Sequence, residues 1–457
     1  MKITVVGGGW VGLVAAACYS EFGSFVGVVD TNKKKIENLK QNMISVYEPG
    51  LEAIIKKGQE KENIKFSDDI TDFLPDSDAI VIAVATIGEN GEDADLSLLH
   101  STINDISLLL RRDKYVAIFI KSLVPIGTCA TIIRNMNFIR PDLIPGEHYD
   151  IIANPYFFRE GYAIHDFMSP SRVVIGLSED SKKAKEVLSE VYQPIIIQSN
   201  NPVVFTNLET AELTRYASTG FVVAKMAFIN EMAELCDRVG ADINMLIKGV
   251  GLDRRIGQNG LNITPGFGGS STPRSSRILI ETAETLGCEL SVLKGVLKSN
   301  QNRINNVVKK IIGCIEDEKG IVGKVVSILG LSYKPQTDDI KDSPSISVIS
   351  ELLKAGVEVA LYDPIYTLGS YKLSNIPSSI TSNENFTATA SVYDAINESD
   401  AMVIMTDWVE FRTIDFEKVQ ELMSKRLGSN PIIIDFRNMF SPCDMKDFRY
   451  ISQGQIN

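Results

Sequence analysis

The amino-acid sequence predicts an α/β protein with two doubly wound parallel sheets joined by one long helix. Three observations carry this reading. The chain has 457 residues, too many for a single core when a domain typically holds about 150. Short β-branched runs alternate with helical periodicity over residues 1–200, and the alternation resumes near Gly323, the pattern of parallel strands with crossover helices. Between the two lies an amphipathic stretch at 208–239, interrupted only by Gly220, which reads as one long helix.

In the first region the strands fall at 3–6, 25–29, 79–84, 116–120 and 149–153. The last region offers strands at 325–329, 357–361, 401–405 and 432–434, with a helix at 345–354. The expected domains are therefore 1–200, 201–310 and 311–457. The long helix is expected to form a subunit interface and to make the protein a homodimer. No short-period repeat or low-complexity tract interrupts this order.

Composition narrows the partners. The chain carries 46 basic and 58 acidic side chains, a formal charge of −12, and has no long basic run to hold nucleic acid. A few local Arg and Lys residues can still hold an anionic small ligand. The six cysteines lie far apart with no CxxC pair, and the three histidines are scattered, so neither a metal site nor a disulfide framework is expected. No apolar stretch reaches the roughly 18 residues that span a membrane. Residues 2–18 could pass for a lipoprotein leader, but Gly7, Gly8 and Gly9 would break an export helix. They suit a nucleotide-binding turn better, and the protein is read as cytoplasmic.

That turn is the strongest local signal. Residues 2–13 run from a strand into Gly7-Gly8-Gly9-Trp10-Val11-Gly12 and then into a helix, the GxGxxG order of a Rossmann-like dinucleotide site. Gly7 makes the tight turn, Gly9 lets the backbone approach a pyrophosphate, and Gly12 allows close packing of helix on strand. A second strand ends in Asp30, 18 residues past Gly12, where a carboxylate accepts hydrogen bonds from ribose hydroxyls and repels a 2′-phosphate. The cofactor expected is NAD.

Further segments carry a resemblance to the UDP-glucose and related nucleotide-sugar 6-dehydrogenases over nearly the whole chain. They include Tyr47-Glu48-Pro49-Gly50-Leu51, Ala94-Asp95-Leu96-Ser97, Lys121-Ser122 with Val124-Pro125, and Asn154-Pro155 with Arg159-Glu160-Gly161. Later come Gly251-Leu252-Asp253 with Arg255, Pro265-Gly266-Phe267-Gly268-Gly269-Ser270, Tyr333-Lys334 with Thr337-Asp338-Asp339, Tyr362-Asp363-Pro364, and Asp435 with Arg437-Asn438. The resemblance implies an NAD domain, a central dimerisation helix and a domain for a UDP-sugar. It places Gly7, Gly9, Trp10, Val11, Gly12, Asp30, Lys35, Thr86, Ser122 and Lys341 at NAD. Tyr156, Phe157, Phe158, Arg255, Gly268, Arg274, Lys334 and Arg437 would line the sugar-nucleotide site, with Arg255 reaching it from the other subunit.

The same resemblance exposes missing chemistry. Members of the family oxidise the C6 alcohol twice and hold the intermediate on a cysteine, whose thiolate is accessible near neutral pH. Their GGSCFPKD motif reads Gly268-Gly269-Ser270-Ser271-Thr272-Pro273-Arg274-Ser275 here. Ser271 thus stands at the nucleophile position, and a serine hydroxyl needs an adjacent base to attack. The family's Lys-Ser-Thr reads Lys121-Ser122-Leu123, its Asn-Pro-Glu-Phe reads Asn154-Pro155-Tyr156-Phe157, and its catalytic Lys and Asn fall at Arg215 and Thr219. Arginine keeps its proton and cannot serve as the acid or base. Of the polar catalytic set Glu160 is unchanged.

Three functions stay open on these residues. The chain binds NAD and a nucleotide sugar with little or no turnover; or it performs a two-electron oxidation with Glu160 or Tyr156 taking the proton; or it is a slow dehydrogenase working through an oxygen ester on Ser271. Arg215, Arg274 and Arg277 could also gather around an additional phosphate or carboxylate.

Overall fold

The computed structural model describes residues 1–88, 94–178, 181–198, 203–427 and 431–455, so the expected boundary at 200/201 lies outside the described residues. The chain divides into two compact units, residues 1–218 and 219–457.

The first unit is built on eight strands: β1 (Lys2–Val6), β2 (Phe25–Val29), β3 (Ile64–Ser67), β4 (Ala79–Ile82), β5 (Val116–Ile120), β6 (Tyr149–Ala153), β7 (Val173–Gly176) and β8 (Val203–Thr206). Their order is β3-β2-β1-β4-β5-β6-β7-β8, all pairs parallel except β6 with β7. Strands β4, β5 and β6 are buried along their whole length, as they must be when helices cover both faces of a parallel sheet. The order of the strands reverses between β1 and β4, and the crevice at such a switch point is where nucleotides bind in open α/β sheets.

The second unit repeats the plan with β9 (Val325–Leu329), β10 (Glu358–Tyr362), β11 (Phe386–Ala388), β12 (Ala401–Ile404), β13 (Ile432–Asp435) and β14 (Arg449–Ile451). The order is β11-β10-β9-β12-β13-β14, parallel throughout. The expected long helix is present as Leu208–Val239. The helices of the second unit include Thr272–Thr285, Ser291–Ile315 and Pro344–Lys354, the last being the helix expected at 345–354. The fold is thus mixed α/β with two Rossmann-like parallel sheets and a long central helix.

The edge strands β3, β8, β11 and β14 and the antiparallel β7 are additions to the sequence reading. The edge strands are three or four residues long and several of their side chains face solvent, which weakens the apolar signature that marks buried strands.

Candidate functional site

The dinucleotide turn shows why each glycine is needed. Gly7 follows β1 with φ +111°, and a Cβ there would lie 2.4 Å from the Ala83 carbonyl oxygen. A Cβ on Gly12 would meet the Gly7 carbonyl oxygen at 1.8 Å. Gly9 differs, because a Cβ on it would meet nothing within 4 Å. It caps the N-terminus of the helix Trp10–Glu21, so the space before that helix end is open and its unpaired N–H groups suit a phosphate.

Asp30 ends β2 beside this turn. One carboxylate oxygen accepts from the Gly8 N–H at 2.9 Å and from the Lys35 ammonium at 2.6 Å, and the other accepts from the Asn32 N–H at 2.9 Å. Burial pushes its pKa up, but the Lys35 ammonium and the two backbone donors together outweigh burial and hold it below the ordinary carboxylate range. Asp30 is therefore an anionic acceptor at neutral pH. The open face of Gly9 and this carboxylate fit the pyrophosphate and ribose of NAD. The hydroxyls of Thr86 and Ser122 are used to tie loops together: Thr86 donates to the Leu123 carbonyl at 2.6 Å and Ser122 to the Val84 carbonyl at 2.8 Å. Both groups retain acceptor capacity.

The loop after β6 holds the next group of residues. Its anchor, which sequence reasoning passed over, is the buried carboxylate of Glu48. It accepts from the Trp10 indole N–H at 2.9 Å, the Gly161 N–H at 2.8 Å and the Ala163 N–H at 2.7 Å. Trp10 in turn packs against Phe158, with ring centroids 5.2 Å apart, and edge-on to Tyr156 at 6.2 Å. The dinucleotide turn and the loop carrying Tyr156, Phe157, Phe158 and Glu160 are thereby one packed assembly. Below it, buried Lys121 donates to the Asn154 side-chain oxygen at 2.7 Å, which also accepts from the Tyr192 hydroxyl at 2.5 Å. Glu212 is a second unforeseen anchor. Its carboxylate accepts from the Gly127 and Cys129 N–H groups at the start of the helix Thr128–Ile139, where the helix dipole favours an anion. A crevice of about 10 Å³, room for about one water molecule, opens among Lys121, Leu123, Tyr156, Glu212 and Arg215. The guanidinium of Arg215 lies over the Tyr156 ring at 4.9 Å.

In the second unit the loop that leads to Ser271 is fixed from several sides. Phe267 exchanges two hydrogen bonds with the Asn300 amide, its N–H donating at 2.8 Å and its carbonyl accepting at 3.0 Å. The Gly269 N–H donates to the Lys341 carbonyl at 2.8 Å. The Ser270 N–H donates to buried Asp339 at 2.5 Å; burial pushes that carboxyl up while the Ser270 and Lys341 N–H groups pull it down. A Cβ on Gly268 would lie 2.3 Å from the Asp342 carbonyl oxygen. Ser271 caps the helix Thr272–Thr285. A helix N-terminus lowers the pKa of a thiol placed there, but it leaves a serine hydroxyl far from ionisation at neutral pH.

The remaining expected residues are spread over both units. Thr219 is a buried residue of the long helix, and Arg274 is buried on the helix that Ser271 caps. Arg277, three residues on, is paired with Asp342 at 3.0 Å. Arg215 belongs to the first unit. The Arg437 side chain is 8% exposed, and its guanidinium donates at 2.8 Å to the carbonyls of Met405 and Tyr333 and faces Asp407 at 3.4 Å. Lys334 lies 5.8 Å from the centroid of the Tyr333 ring. The side chain of Arg255 is 88% exposed and pairs with Asp253. Among the described residues no group of three His, Cys, Asp or Glu side chains could hold a metal ion, and no helix is long and apolar enough to cross a membrane.

Comparison with known proteins covers most of the chain. Residues 1–196 match the NAD binding domain of the UDP-glucose/GDP-mannose dehydrogenase family, 209–302 its central domain and 327–442 its UDP binding domain. A UDP-glucose 6-dehydrogenase of Rhizobium meliloti is 36% identical over 461 residues, covering 100% of each chain. One of Rickettsia conorii is 37% identical over 99% of each chain. A solved UDP-glucose dehydrogenase from Pyrobaculum islandicum superposes with a TM-score of 0.84 at 27% identity, over 99% of this chain and 97% of that one. The first unit thus contains an NAD-binding domain and the second a UDP-binding domain, and with the central domain they make this chain a member of the UDP-glucose/GDP-mannose dehydrogenase family.

Proposed function

We propose that this chain binds a UDP-sugar beside the NAD that its matched domain takes, and that the four-electron oxidation of the sugar to a uronate is lost or very weak. One observation carries the reading: Ser271 stands where the thiol belongs, at the helix end that would have activated it. The changes around it act in the same direction. Leu123 offers no hydroxyl to order a water, Tyr156 replaces a carboxylate, and Arg215 cannot exchange a proton at neutral pH. Single losses of this kind typically lower rates roughly 10² to 10⁴-fold, and groups acting as a unit do not add simply. In this reading Asp30 and Lys35 hold the ribose, the open turn at Gly9 receives the pyrophosphate, and Phe157 and Phe158 line the sugar end.

The test is direct. Purified protein mixed with NAD and UDP-glucose is expected to give no NADH absorbance above background, while each ligand alone raises the melting temperature. Two NADH per sugar would overturn the proposal. One NADH per sugar would instead assign a two-electron oxidation, which hydride transfer to NAD permits without a thiol. Glu160 or Tyr156, both on the loop after β6, is then the residue to take the proton.

The homodimer is part of the same proposal. On the long helix Phe221, Phe228 and Leu235 recur every seventh residue and are 69%, 52% and 49% exposed, an apolar stripe of the kind that pairs helices. Phe228→Glu is expected to convert a dimer into a monomer, read as a halved mass by light scattering. An unchanged mass would remove this stripe as the interface.

A further inference from the structure

In the second unit, the segment that follows the helix Ile243–Gly251 displays one cation and is held by another. Arg255 projects from it with most of its side chain in solvent, between Leu252 and Ile256, which are exposed as well. The Arg255 backbone N–H and its guanidinium both donate to the Asp253 carboxylate, and the Asp253 carbonyl accepts from the Ile256 and Gly257 N–H groups at 2.9 Å. Pair and turn therefore move as one piece. The side chain that ties this piece to a remote element is Lys225 of the long helix. Its ammonium donates to the Ile256 carbonyl at 3.0 Å, to the Gly257 carbonyl at 3.4 Å and to the Asn259 carbonyl. Among the described residues, the other hydrogen bonds of 252–259 stay within the segment or go to its immediate neighbours in the chain.

An ammonium has three donors and no acceptor, and at Lys225 the acceptors are three carbonyls 31 to 34 residues away. Carbonyl oxygens drawn to one point repel one another unless a positive charge sits among them. Lys225 thus selects one course of the backbone directly after Arg255. Within its own chain Arg255 pairs with Asp253 two residues away, a contact that holds nothing remote together, and the exposed apolar side chains beside it suit contact with a second copy. We propose that Lys225 is a positioning residue for the sugar-nucleotide site: by fixing 256–259 it sets the place from which Arg255 reaches the UDP-sugar held by the other subunit. This rests on the proposed reading of the chain as a homodimer that binds a UDP-sugar, with Arg255 contributed in trans. By two-fold symmetry each Lys225 then serves its neighbour's ligand.

Titration calorimetry with UDP-glucose on the full chain, with the mass followed by light scattering, tests this through a double-mutant cycle. Arg255→Gln is expected to weaken UDP-glucose at least about 10-fold, as loss of a charge-assisted contact does. Lys225→Met keeps the length of the side chain and removes the ammonium; it is expected to weaken UDP-glucose at least about 5-fold with mass and NAD affinity unchanged. In the Arg255→Gln background Lys225→Met is expected to cost less than about 2-fold further, because its effect passes through Arg255. Lys225→Arg, which returns charge and donors to the carbonyls, is expected to recover part of the affinity. Losses that multiply in the double variant would mark a merely structural lysine and overturn the proposal, as would wild-type affinity in Lys225→Met. If Lys225→Met changes the mass or the NAD affinity, Lys225→Gln is read through the same cycle in its place. Unaltered affinity in Arg255→Gln, or a monomeric wild type, removes the contact through which Lys225 acts and overturns the proposal while UDP-sugar binding stands. Absence of UDP-glucose binding by the wild type is a separate result, which sinks the nucleotide-sugar reading together with this one.

Discussion

Gly12→Ala is expected to abolish NAD protection and to destabilise the first unit, whereas Gly9→Ala is expected to abolish NAD protection alone. The contrast follows from geometry. At Gly12 the added methyl would sit 1.8 Å from the Gly7 carbonyl oxygen, with the Ala83 side chain at 3.4 Å behind it. Backbone must move, and overpacking of this kind typically costs about 1–3 kcal/mol or more. The movement also reshapes the turn that faces the pyrophosphate. At Gly9 the methyl meets nothing within 4 Å, and the φ of −84° is ordinary for alanine. The apo fold should therefore be indifferent to Gly9→Ala, but the methyl occupies the space through which a phosphate would approach the helix N-terminus. Saturating NAD at about 100 times its Kd stabilises a protein by about 2.7 kcal/mol, a shift readily seen by thermal denaturation. Full NAD protection in Gly9→Ala would show that the pyrophosphate binds elsewhere.

The turn was legible in the sequence because its information is local: strand, glycines, helix and acid follow one another within 30 residues. The second unit shows what happens when part of that information is absent. Gly330 follows β9 as Gly7 follows β1. Its φ is +100°, its N–H donates to the Tyr362 carbonyl at 2.8 Å, and Gly7 donates to Val29 at the same distance. Asp363 closes β10 much as Asp30 closes β2. Asp363, however, is fully buried and accepts from the Leu331 and Ser332 N–H groups and from the Trp408 indole at 3.0 Å. No room is left there for a ribose. A lone glycine and an acid give no motif in sequence, so the second sheet could be expected while its closed version of the turn could not.

The proposal about Ser271 also rests on local information, one letter inside the contiguous stretch 268–275. The anchors of the site were not legible, because their partners are remote in sequence. Arg172 stacks on Phe157 and bonds Ser218, 46 residues away; Lys121 meets Asn154, 33 residues away. The segment holding Tyr47 and Glu48 entered the reading as a resemblance with no role attached. The role appears only when the fold brings residues 48, 161 and 163 together.

Glu48→Gln is expected to loosen the loop after β6 without unfolding the sheet beneath it. The carboxylate now accepts three hydrogen bonds, from an indole and two backbone N–H groups. Each is charge-assisted, and a buried donor left unsatisfied costs about 1–3 kcal/mol. An amide keeps one oxygen but turns an NH₂ toward at least one donor, so the isosteric change removes acceptors without removing volume. Glu48→Ala should be worse, since it also leaves a cavity under Trp10 and Phe158. Hydrogen exchange provides the local readout: the amides of Gly161 and Ala163 are expected to exchange at least about 10-fold faster in Glu48→Gln, about 1.4 kcal/mol of lost protection. The amides of β5, whose hydrogen bonds do not involve this carboxylate, should keep their rates. Trp10→Phe is the complementary change, because it removes one donor and leaves the carboxylate to the two backbone groups, and its effect should be the smallest of the three. Unaltered exchange at Gly161 and Ala163 in Glu48→Gln would mean that the loop is held by its aromatic packing alone, with the carboxylate a bystander.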